Sequence, residues 1–286
     1  MSGDTAAVRC DSLVHIYRAS GVEVVALRGV DLVVAQGETV ALLGPSGCGK
    51  STLLALLAGL LRPSAGRAVV ADRDIGRLGQ RELLTFRRTV VGVVMQNAGR
   101  NLLPYASTMD NLTFPQRGVG RSRRARRERA RDLLDAVGLG DAGRKPVHAL
   151  SGGEQQRLGV AVGLVNGPSV LLADEPTSQL DADNAARVVD LLRLARDRWG
   201  TAVVVVTHDE TIGAAMDRTI SMRDGRVGAH GRRGEQFAVV GSDGSVQLPA
   251  DVLDLLPPGS LARVLRRDHG VELRATTPAG QPPEVP

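Results

Sequence analysis

The short apolar run Thr39 to Leu43 leads directly into Gly44-Pro45-Ser46-Gly47-Cys48-Gly49-Lys50-Ser51, and a helical pattern then runs from about Lys50 to Leu60. No other stretch restricts the fold as much. The eight residues match G-x-x-x-x-G-K-[ST], a loop that works only above the end of a strand and at the start of a helix. Glycines at 44, 47 and 49 let backbone N–H groups turn inward around phosphate oxygens. The helix points its positive end at the same place. Lys50 brings a full charge to the outer phosphates, and the Ser51 hydroxyl suits a hard cation such as Mg²⁺. Pro45, Ser46, Cys48 and Thr52 belong to the same nucleotide-binding segment. In this strand–helix setting the loop reads as a nucleotide site, not as a glycine-rich structural turn.

Other strand ends supply the matching chemistry. Val170-Leu171-Leu172-Ala173-Asp174-Glu175 is a buried-strand pattern that finishes in two acids, at the sheet edge where α/β proteins bind ligands. Alone it would be a solvated acidic strand end. Beside a phosphate loop, Asp174 becomes the outer partner of Mg²⁺ and Glu175 the group that polarises the attacking water. His208 follows the apolar strand at Val206, so a contact with the γ-phosphate is favoured over a structural role. Gln96 ends the strand Val90 to Met95 and suits Mg²⁺ and the water. The candidate catalytic groups are thus Lys50, Glu175 and His208; the candidate metal ligands are Ser51, Gln96 and Asp174. Tyr17 is one of two tyrosines. It either stacks on adenine or fills the core, and the residues themselves leave both open.

The 286 residues suffice for one large α/β domain and a small appendage. No apolar run reaches the roughly 20 residues that cross a bilayer, so no transmembrane segment is expected. Met1-Ser2-Gly3-Asp4 has no basic and apolar leader, so the chain does not read as exported. Cys10 and Cys48 are the only cysteines, and Cys48 lies inside the phosphate loop; a reducing cytoplasm is expected. The net charge is +5, yet lysine occurs only at Lys50 and Lys145. A surplus carried almost wholly by arginine reads as compositional bias, and nucleic acid is not an expected partner. The densest run, Arg121 to Arg131, contains Glu128 and leads into Leu133-Leu134. It is either a basic docking face or the solvated side of an amphipathic helix, and the second reading is preferred.

Strand patterns at Val8 to Val14, Val24 to Val34 and Gly66 to Ala71 open the chain. Helical periodicity dominates about Asn97 to Val165, broken at Pro104, Pro115, Gly138, Gly140 and Pro146. A helix from Ala182 to Arg198 and a strand Val203 to Val206 follow. This alternation predicts a mainly parallel sheet covered on both faces. After about Arg233 short strands return at Phe237 to Val240, Ser245 to Leu248, Leu261 to Arg266 and Val271 to Ala275, with a tight-turn signal at Asp243-Gly244 and a helix over Asp251 to Leu256. The expected organisation is a nucleotide-binding domain over 1–233, with a helical subdomain at about 97–165. A small β-rich module over 234–277, too small to be stable alone, and a disordered tail over 278–286 complete it.

A second glycine-rich segment, Leu150-Ser151-Gly152-Gly153-Glu154-Gln155-Gln156-Arg157, gives the phosphate loop a family. From Val8 to about Val227 the chain resembles ABC transporter ATP-binding subunits. It has the A-loop Tyr17, the Walker A loop, the Q-loop Gln96, the signature at Leu150 to Glu154, the Walker B acids Asp174 and Glu175, the D-loop ending at Asp181, and the switch His208. Leu102-Leu103-Pro104 and Leu172-Ala173-Asp174-Glu175-Pro176-Thr177 are similar to the branch of macrolide exporters, lipoprotein-release ATPases and FtsE. The resemblance implies a P-loop ABC fold with an antiparallel β subdomain, ATP and Mg²⁺ as ligands, and ATP hydrolysis. It further implies two copies closing head to tail, so that Ser151, Gly152, Gly153, Glu154 and Asp181 reach the nucleotide of the other copy. A membrane permease docks near Gln96, which places the subunit on the inner face of the cell membrane, with export or extraction of a lipid-like or hydrophobic substrate as the task. A mechanical signalling ATPase and a soluble regulator are the rival readings. Glu154, Gln179 and the long stretch Asn97 to Asn101 depart from the usual pattern. The tail from Val239 to Leu273 resembles the AbrB/MazE swapped-hairpin module, with dimerisation or regulation ranked above DNA binding.

Overall fold

The computed structural model describes residues 6–19, 22–232, 235–238, 244, 246, 248, 250–257, 259–268 and 270–275. Its centre is a sheet whose strands are apolar on both sides. β3 (Thr39–Leu43), β6 (Val91–Val94), β7 (Val170–Asp174) and β8 (Ala202–Val206) lie parallel, in the order β3-β8-β7-β6. Side chains alternate across a strand with period two. Val40, Leu42, Val170, Leu172, Val204 and Val206 therefore pack in one core, and Ala41, Leu171, Ala173, Val203 and Val205 in another. Each Val or Leu so buried contributes about 1.5–3 kcal/mol. Both faces need cover, which is why these strands read as unbroken apolar runs.

The first core is closed by α1 (Lys50–Leu57) and by a second sheet. That sheet has the order β2-β1-β4-β5, built from β1 (Ala6–Ala19), β2 (Val22–Ala35), β4 (Ala65–Val70) and β5 (Arg73–Asp74), all antiparallel. The second core is closed by α3 (Thr108–Thr113), α4 (Arg123–Ala136), α5 (Gly152–Leu164) and α6 (Ala182–Trp199). α4 buries Ala130, Leu133 and Leu134, so the arginine run is the outer side of an amphipathic helix. Two of its arginines also satisfy carbonyls at the end of α5: Arg121 donates to Val165 O and Asn166 O, and Arg129 to Leu164 O. A cation there opposes the negative end of the helix dipole.

Boundaries differ from the sequence expectation where the backbone turns left-handed. α1 stops at Leu57, not Leu60, because Gly59 N donates to Leu56 O and Leu60 N to Ala55 O, both at 2.9 Å. This is the paired C-terminal turn that glycine favours. α2 (Gln80–Thr89) is absent from the sequence reading. It buries only Leu83 and Phe86, too thin a stripe to stand out; its signal is Glu82 Oε2 accepting from Gly79 N at 2.7 Å. Also absent are α7 (Glu210–Ala214), β9 (Arg218–Arg223) and β10 (Arg226–Arg232). β9 joins the parallel set beside β3, and β10 runs antiparallel to it. Their hairpin turns at Asp224-Gly225, with φ of +49° and +76°, a dipeptide that marks such turns.

β11 (Glu235–Phe237) extends that edge antiparallel to β10. Beyond it lie α8 (Ala250–Leu255) and the antiparallel pair β12 (Ala262–Arg267) and β13 (Gly270–Ala275). The expected strands Phe237 to Val240 and Ser245 to Leu248, the turn Asp243-Gly244 and the tail 278–286 fall wholly or partly outside the described residues. Among the described residues no helix is long and apolar enough to cross a membrane.

Candidate functional site

β3, β6, β7 and β8 all end at one edge of the sheet, and the loop 44–49 rises from β3 into α1 there. Gly49 takes φ +103° and a side chain at it would strike Ala26 O at 2.6 Å, so only glycine fits. Lys50 is nearly buried, and its ammonium donates to Gly44 O at 2.7 Å and Pro45 O at 2.8 Å. Cys48, buried and free, lies 3.8 Å from the same nitrogen. Gly225 N donates to Cys48 O at 3.0 Å, so the β9–β10 turn braces the loop.

Around this loop opens a cleft of about 490 Å³. It is lined by Ser46, Gly47, Gly49, Lys50, Ser51 and Thr52 of the loop and helix start, and by Gln96, Asp174, Glu175 and His208 from the strand ends. Tyr17 also lines it, 41% exposed, its hydroxyl 3.3 Å from Thr52 Oγ1 and its ring edge-on to His15 at 4.7 Å. Of the two readings left open for Tyr17, the core aromatic is excluded. Val24, Val25 and Ala26 line the cleft with it, positions missed from the sequence. Their signal is exposure of neighbouring β-branched residues: Val24 and Val25 are both exposed, although strand alternation would hide one.

Asp174 ends β7. Burial raises its carboxyl above the usual carboxylate range, opposed by the hydrogen bond from Ser51, while the neighbouring Glu175 charge adds to the rise. The Ser51 hydroxyl and the Asp174 carboxylate both line the cleft. Glu175 adopts φ +46°, a left-handed conformation that costs a non-glycine residue about 1–2 kcal/mol. Three bonds hold it: Glu175 N donates to Val206 O at 2.8 Å, and Ser178 donates to Glu175 O through Oγ at 2.9 Å and through N at 3.2 Å. The turn aims the carboxylate at β8's end. Oε1 accepts from His208 Nδ1 at 2.8 Å, and Oε2 from Thr207 Oγ1 at 3.3 Å.

The Glu175 hydrogen bond holds the His208 imidazolium above its ordinary range, helped by the Glu175 charge and opposed by desolvation. A histidine whose folded value is raised keeps its proton longer on raising the pH. The His208 charge that the pair needs is fully present below about pH 6.5, the free value, and is lost as pH climbs through the raised value. We expect a proton NMR titration of His208 with its midpoint above that free value, falling back in Glu175→Gln. A midpoint unmoved by that substitution would refute the pairing.

The strand that leads to Gln96 is anchored from the side. Asn101 Nδ2 donates to Val93 O at 2.7 Å and its Oδ1 accepts from Met95 N at 3.3 Å, so the long stretch after Gln96 folds back as a short 3₁₀ turn, Ala98–Asn101. Ser151, Gly152, Gly153, Glu154 and Asp181 do not line the cleft of their own chain. Ser151 starts α5: its Oγ accepts from Glu154 N at 3.2 Å, and Glu154 Oε2 accepts from Ser151 N at 2.7 Å. This reciprocal cap explains the acid at 154 and holds its carboxyl below the usual range. Asp181 starts α6, accepting from Asn184 N at 2.8 Å.

A glycine loop on a parallel strand, a buried lysine, and two acids at the end of the next strand but one define a P-loop nucleoside triphosphatase. The family described as ABC transporter matches residues 27–178. The lipoprotein-releasing system ATP-binding protein LolD 1 of Caulobacter vibrioides is 39% identical over 225 residues, spanning 75% of this chain and 95% of that protein. The macrolide export ATP-binding/permease protein MacB of Nitrosomonas europaea is 42% identical over 205 residues, covering 72% of this chain and 31% of that protein. Among solved structures, the ATP-binding cassette MJ0796, in a dimeric post-hydrolysis state bound to ADP and Pi, superposes with a TM-score of 0.72 at 32% identity. It covers 79% of this chain and 98% of that one. The chain belongs to the ABC transporter family, as one of its ATP-binding, ATP-hydrolysing cassettes.

Proposed function

We propose that this cassette works as a pair of identical chains on the cytoplasmic face of a membrane, where it drives an integral permease that exports or extracts a lipid-like substrate. One observation carries the reading: the phosphate loop and both acids converge on one cleft, while Ser151 and Asp181 stand outside it. A second copy turned head to tail supplies what the cleft lacks. The dimeric state of the MJ0796 cassette supports pairing. The lipoprotein-release and macrolide-export names of the relatives support outward or extractive work on apolar cargo. In the same proposal the helices between 97 and 165 form the permease-facing subdomain, and residues 234–277 an accessory module.

Each side chain then has a task. Lys50 leaves its loop carbonyls for the β- and γ-phosphates of ATP. Glu175 orients and deprotonates the attacking water, and His208 holds the γ-phosphate and the Glu175 carboxylate together. The hard oxygen donors Ser51 and Asp174, both lining the cleft, fit Mg²⁺, with Gln96 completing the set. The ion, when bound, offsets charge on the outer phosphates. Tyr17 carries the adenine. Tyr17→Ala should weaken ATP binding by about 1–3 kcal/mol, the worth of one base stacked on an aromatic ring, and Tyr17→Phe should not; equal loss in both would assign the effect to the hydroxyl.

Purification of the tagged chain from gently solubilised membranes tests the transport role. An integral membrane subunit should accompany it, and the reconstituted pair should release apolar cargo from vesicles on adding ATP. ATP turnover by the pair with no cargo movement would replace transport with mechanical signalling.

A further inference from the structure

The signature helix and the D-loop are joined inside one chain by a side chain that neither motif contains. Asn184 lies in the first turn of α6. Its Oδ1 accepts from Arg157 Nη1 of α5 at 2.8 Å, and its Nδ2 donates to Asp181 Oδ1 and Oδ2 at 3.0 and 2.9 Å. The partners fix the orientation of the amide, because a flip would set its N–H₂ against the guanidinium. Arg157 is nearly buried and is held from the other side, donating through Nε to Val137 O at 3.1 Å. The D-loop continues the connection to the catalytic acid through Ser178, bonded to Glu175 O.

The same amide bears on the signature. A methyl group added at Gly153 would lie inside contact distance of Asn184 Oδ1, whereas one added at Gly152 would meet nothing within 4 Å. The two adjacent glycines are therefore not equivalent. A side chain at Gly153 would have to displace the Asn184 amide from its three hydrogen bonds, whereas nothing in the chain requires Gly152 to be glycine.

We propose that Asn184 is a positioning residue for ATP turnover, clamping the first turn of α5 to the start of α6 and so fixing the spacing between Ser151 and Glu175. The role rests on the head-to-tail reading above, because that spacing matters only when Ser151 of one copy meets the cleft of the other. Asn184 does not line the cleft and acts through the residues it holds.

The test is a mutant cycle in the full-length chain: wild type, Asn184→Ala, Gly153→Ala, and the double variant, with Gly152→Ala made alone and with Asn184→Ala. Steady-state kcat and KM, binding of a fluorescent ATP analogue, and ATP-dependent pairing in the Glu175→Gln background are measured for each. Asn184→Ala should lower kcat about ten- to a hundredfold, the usual penalty for a displaced reacting group, and leave the affinity of the analogue unchanged, which also shows that the cleft has folded. Gly153→Ala should lose more, and Asn184→Ala should restore part of that loss, since it removes the atom the methyl strikes. Coupling of this kind is expected between touching residues. Gly152→Ala should gain nothing from Asn184→Ala. Losses that simply multiply in the Gly153 pair, or an unchanged kcat in Asn184→Ala, would overturn the positioning role alone if the wild type pairs with ATP. A wild type that stays monomeric with ATP would overturn the head-to-tail reading and this role together.

Discussion

Glu175→Gln should bind ATP as tightly as the wild type, pair on binding it, and then stay paired, with turnover reduced about 10²–10⁴-fold, the range for removing a general base. Glutamine has nearly the same shape, so the left-handed turn at φ +46° and its bonds to Val206 and Ser178 persist. What disappears is the negative oxygen that accepts from His208 at 2.8 Å and would accept a proton from water. Binding depends on the loop and on Lys50, which the substitution leaves alone. The two effects therefore separate: phosphate release collapses while nucleotide affinity holds. Gel filtration with and without ATP, together with a phosphate-release assay, reads both. Full-speed turnover in this variant would take the general-base role from Glu175.

Much of that site was legible because its strands are short and buried on both faces. β3, β7 and β8 occur in the sequence as apolar runs ending in glycine, acid or histidine, and a parallel sheet leaves few other places for such runs. Other elements were not legible. β9 interrupts its apolar positions with Arg218, Thr219, Ser221 and Arg223, and α2 buries only two side chains; tertiary contact, not pattern, makes them. Tyr17 shows the limit for single residues. Nothing local separates a stacking ring from a core ring; the hairpin β1–β2, which carries Tyr17 to the cleft beside Val24 and Val25, rules out the core position. Asn184 was illegible for a further reason. Its meaning depends on Arg157, on a different helix, and no residue spacing encodes a contact between α5 and α6.

Ser151→Ala should lose turnover about 10²–10³-fold, the effect of removing one donor from a developing charge in a dry site, while each chain alone binds ATP normally. Losing the helix cap costs about 1 kcal/mol, small beside the several kcal/mol that keep a domain folded, so unfolding does not explain the loss. Normal binding follows because Ser151 does not line its own cleft. Mixing gives the sharper result. Lys50→Ala removes the ammonium that now rests on Gly44 O and Pro45 O, leaving that chain's own cleft inactive but its Ser151 intact. In a mixed pair, the cleft of the Ser151→Ala chain keeps Lys50 and receives the intact Ser151 of its partner. Two inactive preparations should therefore regain activity on mixing, because half of the clefts in each mixed pair are whole. The gain should vanish when one chain carries both substitutions. If mixed pairs form, as read by exchange of differently tagged chains, and hydrolysis stays at the level of the separate variants, the nucleotide site does not depend on a second copy.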